Sequence, residues 1–197
     1  ATGSALTSAT TQFIELDGVS GTYVSTPDSA AFPTGDIDLR YRVAINTLGA
    51  TSYIADKWVG VGNQRSLVLS FNASNQPSLV TTADGSTART ATSSAAPPFA
   101  AGVAFWLKVT RSATTGDVNF YTSSQSHIDS ASVTDFEQLG ATKSTTAEGI
   151  YDSTADFIVG SDSSPLAGKV FRAQIYSTID GTTPVVDFYP QPYLQGD

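Results

Sequence analysis

The chain has 197 residues, a net charge of −8, only 14% charged side chains, and neither Cys nor Met. The absence of cysteine excludes disulfides, thiolate metal sites and cysteine nucleophiles. Ten Lys and Arg, scattered along the sequence against 18 Asp and Glu, exclude a phosphate-binding surface of the kind nucleic acid requires. Abundant Ser, Thr, Ala and Gly with few charges predict a β protein rich in turns, and a chain of this length can bury a substantial core as one domain. No run approaches the roughly 20 apolar residues of a membrane-spanning helix. No secretion signal is visible, and Ala at position 1 suggests numbering that starts behind a removed initiator or a trimmed segment.

Residues 1–12 are small and polar and predict a flexible arm. Phe13 to Gly18 predicts a short strand ending in a turn, and Tyr23-Val24 an extended piece stopped by Thr26-Pro27-Asp28. Ile37, Leu39, Tyr41, Val43 and Ile45 alternate with Asp38, Arg40, Arg42 and Ala44, the period of a strand with one buried face. Tyr53 to Trp58 and Ser66 to Phe71 predict two strands around the Gly-rich turn 59–63, and Ser78 to Thr81 a third. Asp84-Gly85 marks a hairpin corner. Thr87 to Thr92, polar on both sides, predicts an edge strand, and Ala95 to Ala101 with Pro97-Pro98 a crossing loop.

Val103, Phe105, Leu107 and Val109 then alternate with Ala104, Trp106, Lys108 and Thr110. Beyond Thr114-Thr115-Gly116-Asp117, Val118, Phe120 and Thr122 alternate with Asn119, Tyr121 and Ser123. This is a hairpin, with Gly116 free to take a positive φ. Its apolar sets share one face, so Trp106, Lys108, Asn119 and Tyr121 share the other. Gln125 to Phe136 is polar and irregular, and order resumes at Gln138-Leu139-Gly140. Ile150 to Ser153, Ala155 to Gly160, Lys169 to Tyr176 and Thr183 to Phe188 complete the predicted strands, with Asp180-Gly181 as a turn and 189–197 as a Pro-punctuated tail. In the penultimate strand Phe171, Ala173 and Ile175 are expected to face the core. About a dozen short strands without a sustained helical period predict an all-β sandwich of two antiparallel sheets.

The order of motifs resembles laminin-G-like, concanavalin-A-like jelly rolls. Phe13 to Asp28 looks like their opening, followed by Asp38 to Val43, Lys57-Trp58 with Gln64-Arg65-Ser66, and Phe105 to Thr110. Phe120 to Ser123 with Gln138-Leu139-Gly140, and Pro165 to Ala173, continue the series. Together, over residues 13–188, they are similar to jelly-roll domains of minor tail and other virion proteins of phages that infect actinobacteria. The resemblance implies a non-catalytic module on the virion surface or tail, extracellular in operation. Its partners would be a host-envelope glycan or other virion proteins, and it would form a homo-oligomer, with a trimer expected.

Two candidate sites suit a glycan. Trp106, Lys108, Asn119 and Tyr121 offer an aromatic platform with amide and charged donors, matching the flat apolar faces and hydroxyls of sugars. The alternative is a loop or neighbour covering the rings. Tyr53, Trp58 and Arg65 flank the turn 59–63, where loops carry function; equally, Trp58 closes the end of the core. Arg40, Arg42 and Arg172 face outward, where ladders with Asp36, Asp38 or neighbouring strands account for them. The family resemblance implies a structural calcium at Asp17 and Asp187, near the ends of the first and last strands; otherwise both are turn formers. A glycoside hydrolase is the remote reading, since Glu15 and Asp17 lie about 6.6 Å apart along one face. The related glucanases carry Glu-x-Asp-x-x-Glu on a central strand, whereas here Ser20 stands at the last position and the strand is terminal. His127, the single histidine, has no nucleophile elbow to serve.

Overall fold

The computed structural model describes residues 12–190. The expected arm before Gln12 and the tail beyond Pro190 lie outside the described residues. The strands, in chain order, are β1 (Ile14–Asp17), β2 (Tyr23–Thr26), β3 (Ile37–Ile45), β4 (Ser52–Val59), β5 (Gln64–Phe71), β6 (Pro77–Thr82) and β7 (Ala88–Thr92). Then follow β8 (Ala104–Arg111), β9 (Asp117–Ser123), β10 (Glu137–Gln138), β11 (Lys143–Ser144), β12 (Phe157–Gly160), β13 (Ala167–Tyr176) and β14 (Val186–Phe188). The described residues contain no α-helix; one 3-10 turn spans Ser130–Ser132.

Every pairing between these strands is antiparallel, and they form two sheets. Sheet A runs β1-β13-β3-β8-β9-β10, with β14 also on β13 and β11 also on β9; sheet B runs β2-β12-β4-β5-β6-β7. The polar strand β7 is an edge, as its composition predicts. Leu39, Tyr41, Val43, Leu107, Val109 and Phe120 of sheet A meet Leu67, Leu69, Phe71, Leu79 and Val159 of sheet B in one buried cluster. The Pro97-Pro98 loop closes one end by stacking Phe99 on Phe105, centroids 4.7 Å apart. Period-two alternation thus places the sheets face to face and turns the opposite side chains outward.

Two features depart from the sequence pattern. The register slips between Val170 and Arg172, so Val170, Ala173 and Ile175 enter the core while Phe171 joins the outer face beneath Arg42. A bulge of this kind adds one residue and resets the alternation. Residues 150–153 form no strand; Ile150 and Tyr151 instead donate backbone hydrogen bonds to the carbonyls of Thr34 and Thr82 at 2.7 Å each.

Candidate functional site

After β9 the chain crosses the outer face of sheet A as a strap, residues 124–136, before pairing again as β10. Asp129 caps the short turn by accepting from the Ala131 amide at 3.1 Å. Ser130 Oγ lies 2.6 Å from Gln174 Oε1 and 3.0 Å from the Tyr176 hydroxyl on β13. The Asp135 carboxylate accepts from Ser123 Oγ at the far end. Arg172 reaches the strap's Asp129 at 3.9 Å.

Trp106 lies under this strap. It faces outward, as its period predicts, opposite Arg42 and Ser123, yet it is fully buried and its indole N–H donates to the His127 carbonyl at 2.9 Å. The open platform expected at Trp106 is therefore corrected: the strap's backbone covers the ring and accepts its one hydrogen bond. A buried indole needs such an acceptor, and an irregular segment has carbonyls free to supply it.

Further along β8 the cover opens. Arg40, Lys108, Ser130, Val133, Phe136, Asp180 and neighbours enclose a cavity of about 240 Å³ between the strap and the 180–182 turn. Behind this lining lies Asp38, wholly buried. It receives Arg40 Nε at 3.1 Å and Arg40 Nη2 at 2.7 Å, and also the Asp180 amide at 3.1 Å. Lys108 Nζ stands 3.8 Å from Asp38 and is ion-paired with Asp180. The same ammonium lies 5.3 Å from the Tyr121 ring and 5.4 Å from the Phe136 ring, while Arg40 stacks 4.1 Å over Tyr176. Such cation–π contacts gain strength where water is excluded. The Lys108 hydrogen bond holds the Asp180 carboxyl below the usual carboxylate range, and the charges of Lys108 and Arg40 act in the same direction. Burial pushes the Tyr121 phenol up, helped by the negative Asp180. The cavity thus offers a polar group the Lys108 ammonium and the Ser130 hydroxyl beside the Phe136 ring, while Tyr121 packs against the ammonium from outside the lining.

Of the four residues expected to share this face, Lys108 lines the cavity and Tyr121 lies beside it, against the Lys108 ammonium. Asn119 sits farther along β9 and is engaged by Thr142 at 2.6 Å and Gln138 at 3.3 Å, which hold the β10–β11 segment. In the second expected cluster, Arg65 lies 5.4 Å over the Trp58 ring and donates to the Gly60 carbonyl at 2.8 Å. Tyr53 stands at the opposite end of β4, bridged to Pro165, so it does not join that pair.

The expected calcium pair is also corrected. Asp17 and Asp187 lie opposite Ala167 and Gln174 on β13, seven residues apart, a separation of about 23 Å along the strand. Asp17 accepts from the Val19 amide at 2.9 Å, a turn former's bond, which also lowers its pKa. Asp187 is gripped by the Arg172 fork at 2.8 and 2.7 Å. These two carboxylates do not fit a shared cation, and no group of three or more acidic or His side chains suited to a metal occurs among the described residues.

Asp180 and Phe136 were not among the expected binding residues. One reads as a turn former and the other as part of an irregular run, and only the return of both segments over β8 gives them a place at the site.

No protein-family model matches the chain, and no curated protein matches it. Among solved structures it is similar to the native heptameric SAP-like pentraxin from Limulus polyphemus, with a TM-score of 0.54 and 11% identity over 83% of this chain and 75% of that one. It is similar to the Ruminococcus gnavus IT-sialidase CBM40, with a TM-score of 0.54 and 14% identity over 86% of this chain and 94% of that one. The same CBM40 has been solved bound to α2,3 sialyllactose. Domains LG4-5 of the mouse laminin α1 chain give a TM-score of 0.54 and 11% identity, covering 93% of this chain and 45% of that one. With two antiparallel sheets and these neighbours, the chain has a concanavalin-A-like jelly-roll fold.

Proposed function

We propose that the protein is a non-catalytic glycan-binding module whose site is the cavity between the strap and the 180–182 turn. The observation that carries this is the convergence of Lys108, Asp180 and Ser130 with Phe136, and with Tyr121 alongside, on a sheet face otherwise sealed by the strap. Polar groups that fix orientation beside aromatic surface are what a sugar ring requires. The neighbour solved with sialyllactose lends support at the level of the fold, which hosts many functions. A single shallow site binds weakly, and several copies on one particle raise the avidity. The motif resemblance to virion proteins of actinobacterial phages favours the virion surface or tail as the place of action and a host-envelope polysaccharide as the glycan.

A glycan array probed with multivalent wild-type protein and with Phe136→Ala, which removes the aromatic lining of the cavity, tests this. Binding that Phe136→Ala abolishes, with the circular dichroism unchanged, supports the site. Wild-type protein that recognises no glycan on the array overturns the proposal.

A structural virion module is the second reading, favoured by a different feature. An apolar cavity of about 340 Å³, lined by Phe32, Phe157, Val159, Val186 and Phe188, opens between β2 and β14. Both strands pair on one side only. Retention by neighbouring virion proteins together with a silent glycan array would favour this second reading.

A further inference from the structure

Two cations and two carboxylates meet at the cavity, and they are held very differently. Asp38 is fully buried behind the lining and fixed by Arg40 and the Asp180 amide, so its charge stays in place. The side chain of Asp180 is 75% exposed, and among the described residues its carboxylate accepts a hydrogen bond from Lys108 alone. Its residue occupies a turn with φ of 57°. The side chain of Lys108, by contrast, is only 10% exposed. An ammonium so placed cannot turn to bulk water and needs an anion beside it, whereas an exposed carboxylate can leave at little cost. With Asp180 withdrawn, Lys108 and Arg40 face Asp38 alone, and the cavity gains one uncompensated positive charge.

We propose that the sugar received here carries an anionic substituent, which replaces the Asp180 carboxylate on Lys108. The inference rests on the glycan-binding function proposed above and names the class of glycan. Asp180 acts as the chain's own placeholder for the incoming acid. Arg40 Nη1, whose contact with Ser130 Oγ is a long 3.5 Å, has donor capacity left for the same group. Val133, Ala131 and Phe136 supply apolar lining that strengthens the attraction by excluding water. A neutral sugar gains nothing from displacing Asp180, because it leaves the ammonium without a counter-charge. The carboxylate of a uronic acid and the phosphate of a sugar ester share this chemistry.

The test is a titration of isotope-labelled protein, followed by amide NMR shifts, with methyl glucuronide, glucose 6-phosphate and methyl glucoside in turn. Wild type is compared with Asp180→Asn, since Asn tolerates the positive φ and removes only the competing charge. The acidic sugars are expected to shift the amides of Lys108, Ser130 and Gly181, and to weaken with added salt. Asp180→Asn is expected to bind them about two- to fivefold tighter, as relief from a weak internal competitor predicts. The glucoside should bind more weakly and show no gain in the variant. If the glucoside binds at these amides as well as the acids and Asp180→Asn changes nothing, the anionic preference is overturned while the binding site stands. If acidic sugars bind with no effect on these amides, the assignment of the site is overturned. If no sugar binds at all, the glycan-binding proposal fails and this inference fails with it.

Discussion

Lys57 shows how far a single side chain can depart from its usual place. Its position on β4 turns it inward opposite Leu67, and it is fully buried. Its three N–H donors are met by Asp28 Oδ1 and by the carbonyls of Ser153 and Ala155, all at 2.6 Å. A buried ammonium persists only when fully satisfied. Here it ties the turn after β2 to the segment before β12. Lys57→Met leaves two carbonyls and a carboxylate without their donor and should cost about 3 kcal/mol in urea unfolding. A loss below about 1 kcal/mol would mean that water replaces the ammonium. Nothing in the local sequence marks Lys57 as buried, because its partners lie 29, 96 and 98 residues away. The same distance in sequence hid Asp180 from the site at Lys108, whereas Tyr121, one hairpin turn from Lys108, was legible from alternation alone.

At the scale of the element, strands were legible wherever one face is greasy and the other polar. Ile37–Ile45 matches its predicted bounds residue for residue. The bulge at Val170–Arg172 was invisible because it interrupts alternation without a Gly or Pro to announce it. Turns were legible where glycine is required, and Gly116 has two such requirements. Its φ is 75°, and a methyl group there would meet the Thr145 carbonyl oxygen at 2.2 Å. That carbonyl belongs to the segment following β11, and the Thr145 amide in turn donates to the Gly116 carbonyl at 2.8 Å. Gly116→Ala should therefore destabilise by about 1–3 kcal/mol through backbone strain. It should also loosen β11, seen as faster amide exchange across 143–147 than across β8. Uniform exchange in the variant would refute the local origin of the effect.

At the scale of the whole molecule, stability is coupled to pH through an acidic group in a poor solvent. Asp56 on β4 is 5% exposed, flanked by Ile158 and Val68 on adjacent strands. Burial raises its pKa to about 6; a hydrogen bond with Ser161 lowers it, and the charge of Asp162 adds to the rise. A carboxyl whose folded pKa exceeds its unfolded value of 3.8 favours the fold when protonated. Its contribution is complete below the unfolded value and is lost as pH rises through about 6. Asp56→Asn mimics the neutral acid, so its melting temperature should match the wild type near pH 4, exceed it increasingly up to about pH 6, and keep a steady margin from there to pH 8. A difference that stays constant across that range would exclude titration of Asp56 as the cause.

The strap has an optical consequence. It seals one indole against water with its N–H engaged, while Trp58, the chain's second tryptophan, is half-buried at a hairpin tip of the opposite sheet under a guanidinium. The molecule thus carries two built-in fluorophores of contrasting environment, one blue-shifted and shielded, the other accessible to a quencher. Lifting of the strap and disturbance of the far hairpin can be followed separately in the same unlabelled sample.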